Sequence, residues 1–163
     1  EYVRLVSSYK LEGACDGQFK AFQKGFLMLC DGAALSFVTP DELEELVCGE
    51  PYLDFRALQA ATRYDGGFSA ESAAVKWFWE VVHELSYAEQ AQLLQFATGC
   101  DRAPVGGLGK LNFVLQRAGD DSLALPVAHT CFNMLSMPDY ASRGKLRDRL
   151  KIAIANAEGF GLQ

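Results

Sequence analysis

This sequence contains little histidine, and it lacks paired cysteines and long apolar runs. Only two of its 163 residues are histidine, and its five cysteines form no C-x-x-C pair, the usual signature of zinc and thioredoxin-type sites. Lysine and arginine number 15 against 21 aspartates and glutamates, so the net charge of −6 argues against a nucleic-acid partner. No apolar run approaches the roughly 20 residues that a membrane span requires, and we expect no membrane partner.

What is present indicates a folded protein in a reducing compartment. Half of the residues are apolar and 12% are aromatic, which is enough for a core in one domain, or in one domain plus a fragment. An odd number of widely spaced cysteines favours free thiols, and we expect most of them to act as small hydrophobic residues. Because the chain begins at Glu1 without a methionine, we interpret it as part of a longer protein.

Local patterns predict that the N-terminal part of the chain is helical and that the C-terminal part contains both helices and strands. Four helix starts are indicated by capping residues, namely Thr39, Ser69, Ser86 and Ser142. Two of them open a capping box, and a short helix is predicted near residues 55–62, before a turn at "YDGGF". The runs "LNFVLQ" and "VAHTCFNML" are predicted to be strands, the second one buried. The composition and order therefore predict an α+β fold, in which a small sheet is flanked by helices.

Two other motifs favour structural roles. The loop "PVGGLGKL" resembles a phosphate-binding loop, but Leu111 stands where serine or threonine should follow Lys110, so we predict a shaped surface loop. In "WFWEVV", helical spacing places Phe78 and Trp79 in the core and Trp77 on a second face or an interface. His83 is interpreted as a histidine on the helix surface or one whose hydrogen bonds are satisfied, although the sequence indicates no partner.

The stretch "LPVAHTCFNML" holds the candidate reactive group. In an extended segment His129 and Cys131 would share a face, where an imidazole can lower the pKa of a thiol or receive its proton. Thr130 and Asn133 add groups that can form hydrogen bonds. Taken alone, the stretch leaves a buried structural cysteine as the default and a nucleophile as the alternative. A protease is disfavoured because only His83 is left to supply a second base.

The quoted segments together resemble one known family. "LPVAHTCFNMLSMPDY" is similar to the active-site segment of HECT-type ubiquitin ligases, whose pattern is Leu-Pro-x-x-His-Thr-Cys-Phe-Asn. "FKAFQKGF", "ELEELVCG", "YDGGF", "VKWFWEVV" and "LLQFATGCDRAPVGGLGKL" match in the order of that family, and "GKLRDRLKIAIANAEGFGLQ" resembles its last helix and tail. The resemblance covers essentially the whole chain, and "DRAPVGGLGKL" is most similar to the E6AP-like branch.

The resemblance implies a division of the chain. HECT catalytic domains have a helical N-lobe and a smaller mixed C-lobe that are joined by a flexible hinge. By this comparison residues 1–49 are the end of the N-lobe, residues 50–163 are the C-lobe, and the hinge lies at about residues 49–51. The docking site for the E2 conjugating enzyme would lie mostly outside this chain.

The resemblance also implies a reaction and its residues. Cys131 would accept ubiquitin from a charged E2 as a thioester and pass it to a lysine of a protein substrate, with no cofactor and no metal. His129, Thr130 and Asn133 would support this step, and Phe160, fourth from the C-terminus, would assist transfer to the substrate. A cytoplasmic location, or also a nuclear one, is expected. The alternative is a catalytically inactive ubiquitin-binding or scaffold module with a HECT fold.

Overall fold

A computed structural model describes residues 1–30 and 32–156 of the chain. The helices are α1 (Tyr2–Ser8), α2 (Asp16–Leu29), α3 (Gly32–Leu35), α4 (Pro40–Cys48), α5 (Phe55–Ala61), α6 (Ala73–Glu84), α7 (Tyr87–Thr98) and α8 (Arg143–Ala155). The strands are β1 (Arg63–Asp65), β2 (Val114–Arg117), β3 (Val127–His129) and β4 (Met134–Met137). The predicted α+β class is therefore confirmed.

The chain divides into two compact units, Glu1–Glu44 and Glu45–Gln163. In the first unit, α1 and α2 contain no buried residue, and the rings of Phe22 and Phe26 stack with their centroids 5.9 Å apart. The second unit contains the sheet and the hydrophobic core. The boundary expected at about residues 49–51 from the family's lobes stays a prediction.

The sheet combines parallel and antiparallel pairs in the order β1-β2-β4-β3. β2 pairs in parallel with β1 on one side and β4 on the other, and β3 runs antiparallel to β4 at the edge. Leu115 and Leu135 lie opposite each other on the two central strands and are fully buried. Strand β1 was missed by the sequence analysis, because Arg63 pairs with Val114, far along the chain, and no local pattern marks that contact.

Helix α6 forms the centre of the core, and its predicted apolar face is confirmed. The buried residues on and just after it include all those predicted from helical spacing, Val75, Phe78, Trp79, Val82 and Leu85. The buried indole N–H of Trp79 donates to the Tyr64 hydroxyl at 3.0 Å, so this polar group is satisfied. The predicted cap at Ser69 is wrong: Ser69 and Ser72 form a turn, and the helix begins only at Ala73.

The other helix starts agree with the prediction because each rests on a local hydrogen bond. Thr39 and Glu42 form a reciprocal capping box at α4, as do Ser86 and Glu89 at α7. Ser142 Oγ accepts from the backbone N–H of Lys145 at the start of α8. Each cap satisfies backbone N–H groups in the first turn of its helix.

The carboxylate of Glu89 makes one acid-sensitive contact between α7 and α8. The Lys151 ammonium donates to it at 2.7 Å and Ser86 donates at 2.9 Å, which together lower the pKa of Glu89 from 4.5 to about 2. Because the pKa of Glu89 is lower in the folded state than in the unfolded state, the ionised carboxylate stabilises the fold when the pH is above the unfolded-state pKa. This contribution is lost as the pH falls from about 4.5 towards 2.

We expect Glu89→Gln to reduce the loss of stability over that pH window, as measured by urea denaturation. Equal pH slopes for the variant and the parent would contradict this.

Candidate functional site

Cys131 lies at the tip of the hairpin that joins β3 to β4. Strand β3 ends at His129, a single 3₁₀ turn covers Thr130–Phe132, and β4 starts at Met134. The prediction of one continuous buried strand is therefore wrong. The chain turns because Asn133 adopts a left-handed conformation, with φ 48° and ψ 44°, which asparagine tolerates better than most residues.

The tip of the hairpin is exposed to solvent. Cys131, His129 and Thr130 are all exposed, and the side chain of Phe132 is 70% exposed. The default interpretation of Cys131 as a buried structural residue is therefore wrong. Three of the other four cysteines also depart from the expected role of small hydrophobic residues, because Cys15, Cys48 and Cys100 are exposed, whereas Cys30 is partly buried.

The shared face that was predicted for His129 and Cys131 is not present. Side chains alternate only within an extended strand, and β3 stops at His129, before the turn that carries the cysteine. Among residues 1–30 and 32–156, no hydrogen-bond partner is found for the imidazole of His129 or the thiol of Cys131. The two residues are thus close in sequence, but the structure does not join them as an acid–base pair.

Two backbone hydrogen bonds hold the turn that carries Cys131. The N–H of Asn133 donates to the carbonyl of Thr130 at 3.2 Å and closes the 3₁₀ turn. The carbonyl of Asn133 then accepts from the N–H of Val114 at 3.0 Å, which ties the turn to strand β2. An exposed thiol on an anchored turn can meet a bulky macromolecular substrate without losing its position.

The C-terminal end of α7 supports the hairpin from one side. Gly99 ends α7 in the left-handed region at φ 82°, and a Cβ placed on it would lie 4.0 Å from the Cβ of Thr130. The Thr98 hydroxyl donates to the carbonyl of Leu94 at 2.8 Å, and the Gln95 amide donates to the carbonyl of Gly99 at 3.0 Å. Sequence reasoning identified Gly99 only as a helix end, because its proximity to Thr130 arises only in the folded structure.

The loop that leads into β3 is fastened at two points. The Tyr140 hydroxyl donates to the carbonyl of Ala124 at 2.7 Å, and burial raises the pKa of Tyr140 to about 12, so the phenol keeps its proton. The Lys145 ammonium donates to Asp121 at 2.7 Å and lowers the pKa of that carboxyl. Both contacts join this loop to the segment around the start of α8, and they hold the part of the chain that leads into β3.

The other motifs have structural partners. Nε2 of His83 lies 2.7 Å from Oε1 of Gln59, and partial burial lowers the pKa of this histidine. Trp77 is partly buried and packs against the core. The glycine-rich loop contains a 3₁₀ turn, Leu108–Lys110, and leads into strand β2 rather than into the helix that a phosphate-binding loop requires.

Phe160, which the family resemblance proposes for transfer to the substrate, lies outside the described residues. Within residues 1–30 and 32–156, no three metal-ligating side chains come together. In the same part of the chain, every helix is too short or too polar to span a membrane.

Comparison with known proteins finds one family over the full length. The model of the family described as "HECT-domain (ubiquitin-transferase)" matches residues 1–163. The chain is 45% identical to human "Probable E3 ubiquitin-protein ligase HECTD2" over 163 residues, which cover 100% of this chain and 21% of the relative. It is 38% identical over 165 residues to "Probable E3 ubiquitin-protein ligase HUL4" of Eremothecium gossypii, covering 100% of this chain and 20% of the relative.

A third relative also carries the name of an E3 ubiquitin-protein ligase. Human "Probable E3 ubiquitin-protein ligase HERC4" is 40% identical over 162 residues, which cover 99% of this chain and 15% of the relative. The chain therefore spans about a fifth or less of the length of these curated relatives. None of their names refers to the E6AP-like branch, so the assignment to that branch stays a prediction.

Proposed function

Because the chain belongs to the HECT-domain family of ubiquitin transferases, we propose that it transfers ubiquitin to a protein through a thioester on Cys131. The observation that carries this proposal is the placement of the Cys131 thiol. It lies exposed at the tip of an anchored hairpin, in the segment "HTCFN" that resembles the family's active site.

Two acyl transfers account for the proposed reaction. The Cys131 thiolate attacks the C-terminal carbonyl carbon of ubiquitin on the E2, a new carbon–sulfur bond forms, and the E2 thiolate leaves. A substrate lysine, as the free amine, then attacks the same carbonyl, its nitrogen gives up one proton to the solvent, the amide forms, and the Cys131 thiolate leaves. Exchange between two thiols is nearly balanced in energy, and the product thioester remains reactive towards amines, so a cysteine suits both steps.

The neighbouring residues would support the turn rather than form a fixed acid–base system. Asn133 gives the hairpin its left-handed turn, and Thr130 closes the 3₁₀ turn through its carbonyl. His129 ends β3 and is exposed, where its ring could contact a docked thioester. Phe160 is carried over by resemblance alone, as a residue for the second step.

The partners in this proposal are ubiquitin, a charged E2 and a protein substrate. The family membership supports these three classes, and the relatives' names support a role as ubiquitin ligases. Free cysteines throughout the chain are consistent with the reducing interior of a cell, so we place the reaction in the cytoplasm, or also in the nucleus.

A loading experiment tests the function. A protein that carries this segment and extends upstream over the whole catalytic domain should form a ubiquitin adduct when it is mixed with a charged E2. The adduct should disappear on treatment with a thiol reductant. A protein that binds ubiquitin but never forms a reducible adduct would contradict the proposal and favour an inactive ubiquitin-binding module.

The isolated 163-residue chain is expected to load poorly from the same E2. Positioning two reacting groups contributes effective molarities of about 10⁵–10⁸ M, and the family's E2-docking region is expected to lie mostly outside this segment. A small ubiquitin thioester that needs no docking should load the chain faster than the E2 does. The measurement compares initial loading rates of the chain and the extended protein, and equal rates from the E2 would contradict an external docking site.

A further inference from the structure

A second exposed cysteine lies beside the point where α7 approaches the hairpin. Helix α7 packs against the turn Thr130–Phe132, and a Cβ placed on Gly99 would lie 4.0 Å from the Cβ of Thr130. Cys100 follows Gly99 and Cys131 follows Thr130, so each thiol stands one residue beyond this close approach. Both cysteines are exposed, and both belong to the second compact unit. The fold thus brings a second thiol to the neighbourhood of the proposed reactive one.

The two backbones approach each other here as closely as those of residues joined by a disulfide. Bonded cysteines have Cβ atoms about 3.5–4.5 Å apart, and the positions of Gly99 and Thr130 fall within this range. Each cysteine lies a single chain step of about 3.8 Å beyond that approach. Because both side chains are exposed, the movement that joins the two thiols falls on the surface and the hairpin tip, not on the core.

The backbone of Cys100 is held to the end of α7. The Thr98 hydroxyl accepts from the N–H of Cys100 at 3.2 Å, and its oxygen lies 3.0 Å from the carbonyl oxygen of Cys100. The preceding Gly99 donates its N–H to the carbonyl of Gln95 at 2.8 Å. The position of Cys100 is therefore set by the helix that packs against the hairpin, while its side chain stays open to solvent.

We propose that Cys100 is a resolving thiol for Cys131: in the presence of hydrogen peroxide the two form a reversible intramolecular disulfide that stops ubiquitin loading. Only the consequence for loading rests on the proposed function of Cys131, since the disulfide forms without any transfer reaction. The disulfide also spares Cys131 from oxidation to sulfinic acid, which thiol reductants do not reverse. A reducing compartment returns the pair to two free thiols by thiol–disulfide exchange.

The oxidation consumes two thiols and one peroxide. The Cys131 thiolate attacks one peroxide oxygen, a sulfur–oxygen bond forms as the oxygen–oxygen bond breaks, and the released hydroxide takes a proton to become water. The Cys100 thiol gives its proton to the solvent, and its thiolate attacks the sulfenic sulfur of Cys131. The sulfur–sulfur bond forms, the sulfur–oxygen bond breaks, and the leaving hydroxide is protonated to a second water. Two electrons pass from the pair of sulfurs to the peroxide.

Peptide mapping tests the disulfide without any transfer reaction. The 163-residue chain, diluted to disfavour contacts between molecules, is treated with hydrogen peroxide, alkylated, and digested with trypsin under non-reducing conditions. The expected product joins the peptides 77–102 and 118–143, which hold Cys100 and Cys131, and it disappears on reduction. A monomer band on a non-reducing gel identifies the bond as intramolecular.

The variants Cys100→Ser and Cys48→Ser are a matched pair, because each removes one exposed thiol of the second unit. Cys100→Ser should abolish the cross-link and drive Cys131 to sulfinic acid, whereas Cys48→Ser should form the cross-link as the parent does. Peroxide treatment that yields no bond between Cys100 and Cys131, or that joins Cys131 equally to Cys48, would overturn the proposal.

A loading assay tests the consequence in the protein extended upstream over the whole catalytic domain. Samples are treated with peroxide, then with or without a thiol reductant, and both reagents are removed before the charged E2 is added. Peroxide should abolish loading of the parent and of Cys100→Ser. Reduction should restore nearly all of the parent's loading and little of the variant's. Equal recovery in the two proteins would overturn the protective role of Cys100.

Failure of the transfer function and failure of the redox role give different results. An untreated parent that never loads from the charged E2 would refute the function of Cys131, and the peptide map would still show whether the disulfide forms. A parent that loads normally but keeps Cys100 out of any bond with Cys131 under peroxide would refute the role of Cys100 alone.

Discussion

Replacing Cys131 by alanine is expected to abolish the reducible ubiquitin adduct completely. The thiol sulfur forms the bond to the ubiquitin carbonyl in the proposed reaction, and alanine offers no nucleophile in its place. Because the Cys131 side chain is exposed at a hairpin tip, its loss should change the free energy of unfolding by less than about 0.5 kcal/mol. The measurement is a non-reducing gel of the loading reaction, with a thermal melt of each variant.

Two further variants make this result specific. Cys131→Ser should give an adduct that resists thiol reductants, since an oxygen ester replaces the thioester. Cys100→Ala removes another exposed thiol, which follows Gly99 near the same hairpin, and should leave loading intact. A reducible adduct that survives in Cys131→Ala and vanishes in Cys100→Ala would show that the reactive thiol has been assigned wrongly.

Leu135→Ala is expected to destabilise the second unit by about 2–5 kcal/mol, the usual cost of truncating a buried leucine. Leu135 is fully buried on β4, where it pairs with Leu115 of β2 and Ala128 of β3. The space left by the missing carbons cannot close easily, because hydrogen bonds on both sides hold β4 in place. Urea denaturation of the two proteins gives the difference.

The matched control for this prediction is Leu123→Ala. Leu123 is 70% exposed in the loop before β3, so its truncation should change the free energy of unfolding by less than about 0.5 kcal/mol. A loss below about 1 kcal/mol for Leu135→Ala would mean that the central strands repack around the smaller side chain.

Features that depend on residues close together in the chain were predicted from the sequence, and one that depends on residues far apart was missed. The capping boxes of Thr39 and Ser86 were predicted because each forms within four residues. The apolar face of α6 was predicted because helical spacing is visible in the sequence itself. Strand β1 was missed because its partner β2 lies far along the chain, beyond α6 and α7.

The candidate site shows the same limit. The residues "HTCFN" and the family they resemble pointed to Cys131, but the pattern of apolar residues suggested a buried strand. The left-handed conformation of Asn133 produces the turn, and asparagine permits this conformation without requiring it. Gly99 lies near Thr130 because α7 packs against the hairpin, and only the folded structure shows this proximity.

The parallel pairing of β1 with β2 has a consequence for biosynthesis. Arg63 leaves the ribosome well before Val114, so β1 has no partner until both intervening helices have been translated. Closing such a long loop has an entropic cost that must be met before the strand contacts form, and non-local pairing of this kind slows folding. The nascent chain therefore exposes an unpaired edge beside newly formed helices, which is where we expect chaperones to engage it.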